Sequence, residues 1–285
     1  MQVESPTRVA LRKLWRNRSA QLGAVLCGVF LLMALLAPWL TTFPYDKLDL
    51  AHRLAPPGDF GHPLGSDNLG RDTWSRLVYG SRVSLAVGLF SVAISLGLGT
   101  PLGALAGYKG GRVDALIMRS MDLLLAFPSI LLAIAIVTVL GNNLTNAMIA
   151  VGVVGIPIFA RITRASVLSV KELEFVQAAR TIGCSNARIL WVHILPNCVN
   201  PLVVQATLSL GTSVLDAAGL SFLGLGAKPP TPEWGTMLAD TYRYYEQAPW
   251  LVLAPGLAIL GMVLGFNLLG DGLRDALAPK TRETA

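Results

Sequence analysis

Few side chains in this sequence have the type and spacing to do chemistry. Cys184, His193 and Cys198 come nearest to a metal set, but their separations fit no tetrahedral zinc pattern. Asp122 and Asp216 lie in or beside apolar runs. A charge there costs about 2.5–3.5 kcal/mol at mid-span, so each is either a helix-terminal packing residue near an interface or a pathway residue. The chain has no Gly-Lys dipeptide, which excludes a Walker phosphate cradle, and no Gly-x-Ser-x-Gly, Ser-x-x-Lys or His-Glu element. A membrane enzyme therefore lacks its catalytic constellation. Energy for any active process must come from another chain or from an ion gradient. What remains is a polar, helix-forming stretch over residues 172–197, set in otherwise apolar sequence.

The elements that must position that stretch are membrane helices. Of 285 residues, 53% are hydrophobic and 14% charged, against about 25% charged in soluble proteins. The net charge of +6 is dispersed between apolar runs, which argues against a nucleic-acid partner. Three cysteines without close spacing give no disulfide framework. The expected fold class is an all-α integral membrane protein with six transmembrane helices. The first occupies residues 20–40, and the others 83–108, 121–140, 147–160, 201–222 and 249–269. Residues 1–19, with Arg8, Arg12, Lys13 and Arg16 on one arc, predict a cytosolic amphipathic interfacial helix.

A loop over 41–82 holds a short helix at 72–79 with Asp72 as its N-cap. A five-helix core over 83–273 follows, with a cytosolic loop at 161–196 and a cytosolic tail at 274–285. Gly99, Gly103 and Gly107 form a stripe that lets another helix approach closely. Pro128 and Pro157 predict kinks. With both termini inside, sixteen Lys and Arg fall on the cytosolic side and seven on the other, which satisfies the positive-inside rule and puts 172–197 in the cytosol.

Within that stretch, good helix formers run from 172 to 180, Gly183 interrupts, and they resume over 186–192. Pro196 is the expected exit toward the fifth span. Phe175, Val176, Ile182 and Ile189 beside Arg180 and Arg188 supply apolar anchors with flanking charge, the pattern of a helix that seats in a partner's groove. The alternative is a solvated connector.

Gln177-Ala178-Ala179, then Gly183, then His193-Ile194-Leu195-Pro196 resembles the EAA loop of ABC-importer permeases. Gln177 stands where that pattern has Glu, and His193 where it has Ile. Residues 64–72 (LGSDNLGRD), 79–85 (YGSRVSL), 126–128 (AFP), 220–235 (LSFLGLGAKPPTPEWG) and 270–277 (GDGLRDAL) extend the likeness along the chain. They resemble the dipeptide/oligopeptide permease family, and within it the second of two paired permeases. The resemblance implies the ABC type I importer permease fold in the bacterial inner membrane. It implies as partners a homologous permease, two ABC ATPase subunits and a periplasmic or lipid-anchored binding protein. No cofactor belongs to this chain, since ATP and Mg sit in the ATPases.

The ATPase-coupling residues carried over are Phe175, Gln177, Ala178, Ala179, Arg180, Gly183, Arg188, Leu195 and Pro196. The expected cargo is a peptide, dipeptides first, with glutathione, nickel or an opine as alternatives within the same machinery. A stand-alone secondary carrier or channel is the reading of another class.

Overall fold

The computed structural model describes residues 12–277, and no strand occurs among them. The interfacial helix expected over 1–19 lies largely outside the described residues. The first span, α1 (Arg18–Leu35), starts on Asn17, whose side chain accepts from the Ser19 amide at 2.9 Å and the Ala20 amide at 3.3 Å. That satisfies two amides with no partner inside the helix. A single turn, α2 (Ala37–Leu40), continues it. Exposed Trp15 and Trp39 bracket the span, as interfacial anchors do.

The next helix, α3 (Thr73–Lys109), has 37 residues and rises about 55 Å, well beyond a hydrocarbon core of about 30 Å. This corrects the expectation of a short helix over 72–79 followed by a separate span from 83. Asp72 caps the helix through the Ser75 amide at 2.7 Å, and nothing interrupts it afterwards. Gly80 is no break because its bare face lies under the Trp234 indole, where a Cβ would come within 2.8 Å of the ring.

The third span is also corrected. Residues 121–140 do not form one helix: α4 (Gly111–Leu125) and α5 (Ser129–Leu140) meet at a 93° bend over Ala126, Phe127 and Pro128. Pro128 bars its predecessor from helical geometry, and all three residues are exposed, so no packing overrides it. The fourth span is longer than 147–160. α6 (Leu144–Val170) is capped by Asn143 through the Asn146 amide at 2.8 Å and runs unbroken through buried Pro157. It therefore carries Arg161 and Arg164 inside the helix.

Beyond it come α7 (Glu174–Thr181), α8 (Asn186–Arg188), α9 (Val199–Phe222), α10 (Trp234–Thr241) and α11 (Trp250–Leu277). The last helix covers the start of the expected 274–285 tail; residues 278–285 lie outside the described residues. Among the described residues five helices are long and apolar enough to cross a membrane, and the bent pair, if counted as one span, brings the number to six. An even number returns the chain to its starting side. Consistently, the Asn17 amide donates to Asp275 at 3.0 Å, joining the ends of α1 and α11.

The axis of the core is the contact between α3 and α6. Gly99, Gly103 and Gly107 face the α6 backbone. A Cβ on Gly103 would lie 2.2 Å from the Ala160 carbonyl oxygen, and one on Gly99 2.6 Å from that of Ile156. The line continues outward in Ser91 and Ser95, whose hydroxyls donate to the Met148 and Gly152 carbonyls at 3.0 and 2.7 Å. Small residues every fourth position thus give close helix approach over about four and a half turns, with polar atoms satisfied across the interface.

At the N-terminal end of α3, its early turns are clasped by α10 and the preceding loop. Fully buried Trp234 donates to the Leu77 carbonyl at 3.0 Å and meets Phe30 edge-on at 5.6 Å. Buried Glu233 caps α10 through the Gly235 and Thr236 amides, both at 2.9 Å. Burial raises the Glu233 carboxyl above its ordinary range, and those amide hydrogen bonds oppose the rise. Asp67 takes Arg71 Nε at 2.6 Å and Arg76 Nε at 3.5 Å, and Arg71 reaches Asp240 of α10 at 3.3 Å.

A single methyl at the α3–α6 contact tests this packing. Gly103→Ala is expected to cost about 1–3 kcal/mol by overpacking and to lower the melting temperature in detergent. Gly97→Ala, where a Cβ meets nothing within 4 Å, is expected to leave it unchanged.

Candidate functional site

The polar loop between α6 and α9 hangs from two fixed points. At its start Lys171 Nζ reaches back to the Gly107 carbonyl of α3 at 3.2 Å. Further on, the Tyr108 hydroxyl donates to Asn186 at 2.8 Å. Between them α7 forms with Glu174 in its first turn and Arg180 in its last, each complementing the helix dipole.

The helix has two distinct faces. Val176 and Ala179, three apart, are buried against Ile189, Leu190, Ile194 and Cys198 of the returning segment, and against Ala104 of α3 and Val167 of α6. Phe175 (42% exposed), Gln177, Ala178, Arg180 and Ile182 (80% exposed) point away, and Arg188 of α8 joins them. The sequence expectation is corrected here. Val176 and Ile189 are not surface anchors; they fasten the loop to the core and leave Phe175 and Ile182 as the outward apolar pair.

Gly183 ends α7 in a Schellman turn. Its amide donates to the Arg180 carbonyl at 3.0 Å and the Cys184 amide to that of Ala179 at 3.1 Å. Its φ of +83° is the left-handed conformation glycine accepts without steric penalty, and a Cβ there would meet nothing within 4 Å. The constraint at 183 is therefore backbone geometry, with no crowding. Ser185 then caps α8, its hydroxyl accepting from the Arg188 amide at 3.4 Å.

Pro196 does not end the helix, contrary to the expectation of an exit there. The winding passes from α8 into a π-helical turn (Ile189–Ile194), tightens to a 3₁₀ turn (Leu195–Cys198) and enters α9. The wide turn absorbs the missing proline amide. Carbonyls left over are taken by side chains: Asn197 donates to that of His193 at 2.7 Å, and Cys198 to that of Ile194 at 3.4 Å. Leu195 is half-buried and Pro196 exposed, so these two lie at the base of the loop and not on the face of α7. The loop is accordingly shorter than 161–196 at its start, since residues 161–170 belong to α6.

Among the described residues no three His, Cys, Asp or Glu side chains converge as a metal site, and Cys198 is fully buried behind the loop. The two carboxylates stand apart from the loop and from each other. Asp122 on α4 is exposed and bound to Arg161 of α6 at 2.5 Å. Nearby, Arg164 holds Asp114 at 2.5 and 2.6 Å. Asp216 on α9 is half-buried, with no hydrogen bond or ion pair among the described residues.

Sequence reasoning did not reach Tyr108, Ala104, Val167 and Asn186, the residues that fix the loop from behind. Each is ordinary locally and acts only through contacts distant in the chain. Ser91 and Ser95 were open to discovery, because they continue the four-residue period of the glycines.

Residues 99–283 match the family described as the inner-membrane component of binding-protein-dependent transport systems, and residues 5–57 match the N-terminal transmembrane domain of oligopeptide transport permease C. The dipeptide transport system permease protein DppC of Alkalihalophilus pseudofirmus is 51% identical over 98% of this chain and 91% of its own length. The DppC of Haemophilus influenzae is 42% identical over 97% of each chain. The glutathione transport system permease protein GsiD of Pectobacterium atrosepticum is 45% identical over 98% of this chain and 94% of its own. Among solved structures, an inward-facing form of the MetNI methionine ABC transporter superposes with a TM-score of 0.57 at 20% identity, covering 72% of this chain and 97% of that one. That likeness concerns the fold.

The turn at Gly183 yields a prediction. Gly183→Asn should be tolerated, whereas Gly183→Val should cost about 1–2 kcal/mol locally. Hydrogen exchange over residues 176–190 is expected to accelerate in the valine variant and stay near wild type in the asparagine variant.

Proposed function

This chain belongs to the family of inner-membrane components of binding-protein-dependent transport systems, and from that premise we propose that it is the pore-forming permease subunit of an ATP-driven importer. Its cargo is peptides, dipeptides first, moved into the cytoplasm across the bacterial inner membrane. Near-full-length identity of 42–51% to dipeptide permeases carries this reading. Import of glutathione, itself a small peptide, is the second reading, favoured by the 45% identity to GsiD.

In this reading the chain pairs with a homologous permease. Two ATPase subunits on the cytosolic side bind ATP and Mg, and an extracytoplasmic binding protein delivers the cargo. The outward face of α7 and α8, with Phe175 and Ile182 as anchors and Gln177, Ala178, Arg180 and Arg188 around them, seats in a groove of one ATPase. Gln177 and Ala178 put no acid at the centre of that face beyond exposed Glu174 of the first turn, so docking rests on apolar fit, the two arginines and that one carboxylate. Force applied there has no slack segment in which to dissipate, because Val176 and Ala179 are packed on the 189–198 turn that leads into α9. Closure of the ATPase pair then moves α6 and α9 as rigid bodies between two states, each favoured by a different nucleotide state.

Reconstitution of the chain with its cognate subunits in liposomes tests the assignment. Uptake of a labelled dipeptide is expected only with ATP, both ATPases and the binding protein present. Uptake by this chain alone would overturn the assignment in favour of a secondary carrier. The docking face has its own test. Phe175→Ala combined with Ile182→Ser should weaken retention of the ATPases by about 2 kcal/mol or more, roughly thirtyfold in affinity. Retention of the paired permease on the same affinity column is expected to be unaffected.

A further inference from the structure

On α9, Gln205, Ser209, Thr212, Asp216 and Gly219 succeed one another at intervals of four, three, four and three residues. At 100° per residue they fall within an arc of about 80°, and apart from Pro201 in the first turn every aliphatic and aromatic side chain of α9 lies outside it. This polar line runs about 21 Å along the helix. None of its five members is fully buried. A span facing lipid would show the opposite pattern, and one buried against its own neighbours would leave no such exposure.

The line borders open space at its cytosolic end. Gln205 lines a cavity of about 560 Å³ together with Asn197, Asn200, Arg274 and the apolar Ile162 and Leu208. Toward the outer end, the nearest atom to a Cβ on Gly219 would be Ile130 of α5, at 3.8 Å, so α5 flanks the line without covering it. Most of the polar atoms are occupied within the helix: Gln205 Nε2 donates to Ser209 Oγ at 3.0 Å, and Thr212 Oγ1 to the Ser209 carbonyl at 3.2 Å. The Asp216 carboxylate is not. It has no partner among the described residues, and at its depth a bare charge is costly unless water or a counter-charge meets it.

We infer that this face of α9 is the wall along which the cargo moves. Asp216 is the counter-charge for the cationic amino end of a passing peptide, and Gln205, Ser209 and Thr212 supply hydrogen-bonding positions toward the cavity at the cytosolic mouth. The inference rests on the peptide-importer reading and adds to it the residues that read the cargo. Charge complementarity favours the occupant and its orientation: a free peptide carries an ammonium at one end and a carboxylate at the other, and the line's one unpaired carboxylate attracts the first and repels the second. The competing occupant is a helix of the paired permease, held by the same polar groups.

The test uses the complete transporter in membranes, with Cys27, Cys184 and Cys198 replaced by serine. Ser209→Cys and Thr212→Cys should react with a charged, water-soluble thiosulfonate, at a rate that changes at least fivefold between nucleotide-free and ATP-trapped states. In a second arm, Asp216→Asn should lower dipeptide uptake per ATP hydrolysed at least tenfold, and Asp216→Glu should restore most of it. Cysteines sealed against the reagent in both states would assign the line to contact between permeases and overturn the inference. So would undiminished uptake per ATP in Asp216→Asn. The labelling arm does not depend on the cargo. Reactive cysteines in a wild-type assembly that moves no peptide would sink the peptide reading and leave the pathway standing.

Discussion

The closeness of α3 and α6 is the constraint on which the rest of the molecule depends. Lipid offers helices little hydrophobic reward for meeting, so association must come from dense contact and from hydrogen bonds across the interface. Gly99, Gly103 and Gly107 provide the first and Ser91 and Ser95 the second. Once these helices are locked, Tyr108 and Val167 near their ends lie close enough to share one apolar cluster with the loop. The position of the proposed docking face therefore follows from glycines that never touch it.

The loop turns this rigidity outward. Its inner residues are those of a small core, and its outer residues resemble an interface lacking its partner. Three kinds of winding follow one another between Asn186 and Val199, which lets the chain pass Pro196 without a flexible joint. A hinge there would absorb motion, whereas a continuous helix of varying pitch delivers it to α9. The two arginine–carboxylate pairs that hold α4 to α6 act differently. They secure a helix that is mostly exposed, and the Asp122 pair is itself exposed, where such pairs contribute little stability. Weak fastening suits an element beside a moving part.

Much of this was legible in the sequence because it is local or periodic. The existence of the apolar spans, the glycine register and the Gly183 break are written in composition and spacing. The prolines mark where legibility stops. Pro101, Pro157 and Pro255 sit inside helices, Pro196 alters the winding without ending it, and Pro128 alone stands at a sharp bend. The local sterics are the same in all five. Packing separates Pro128 from the three inside helices, since Pro157 and Pro255 are buried and Pro101 half-buried while residues 126–129 are exposed throughout; Pro196, itself exposed, is instead accommodated by the π-helical turn before it. Such facts belong to tertiary structure and have no signature within a window of sequence. The same holds for the inward turn of Val176 and Ile189, since their residue types suit an interface as well as a core.

The length of α3 carries one more consequence. Its first turn is bound by Asp72 and, through Asp72, by His62 at 2.9 Å. Its last turn carries Tyr108, bonded to Asn186 beside the proposed docking face. One unbroken rod thus reports to both aqueous compartments at once. In the proposed importer, linkage then makes the traffic reciprocal: any tilt of the rod favoured by the binding protein outside changes the affinity for the ATPase inside, and by the same factor in the reverse direction. The membrane separates two solutions, but along this helix it does not separate two equilibria.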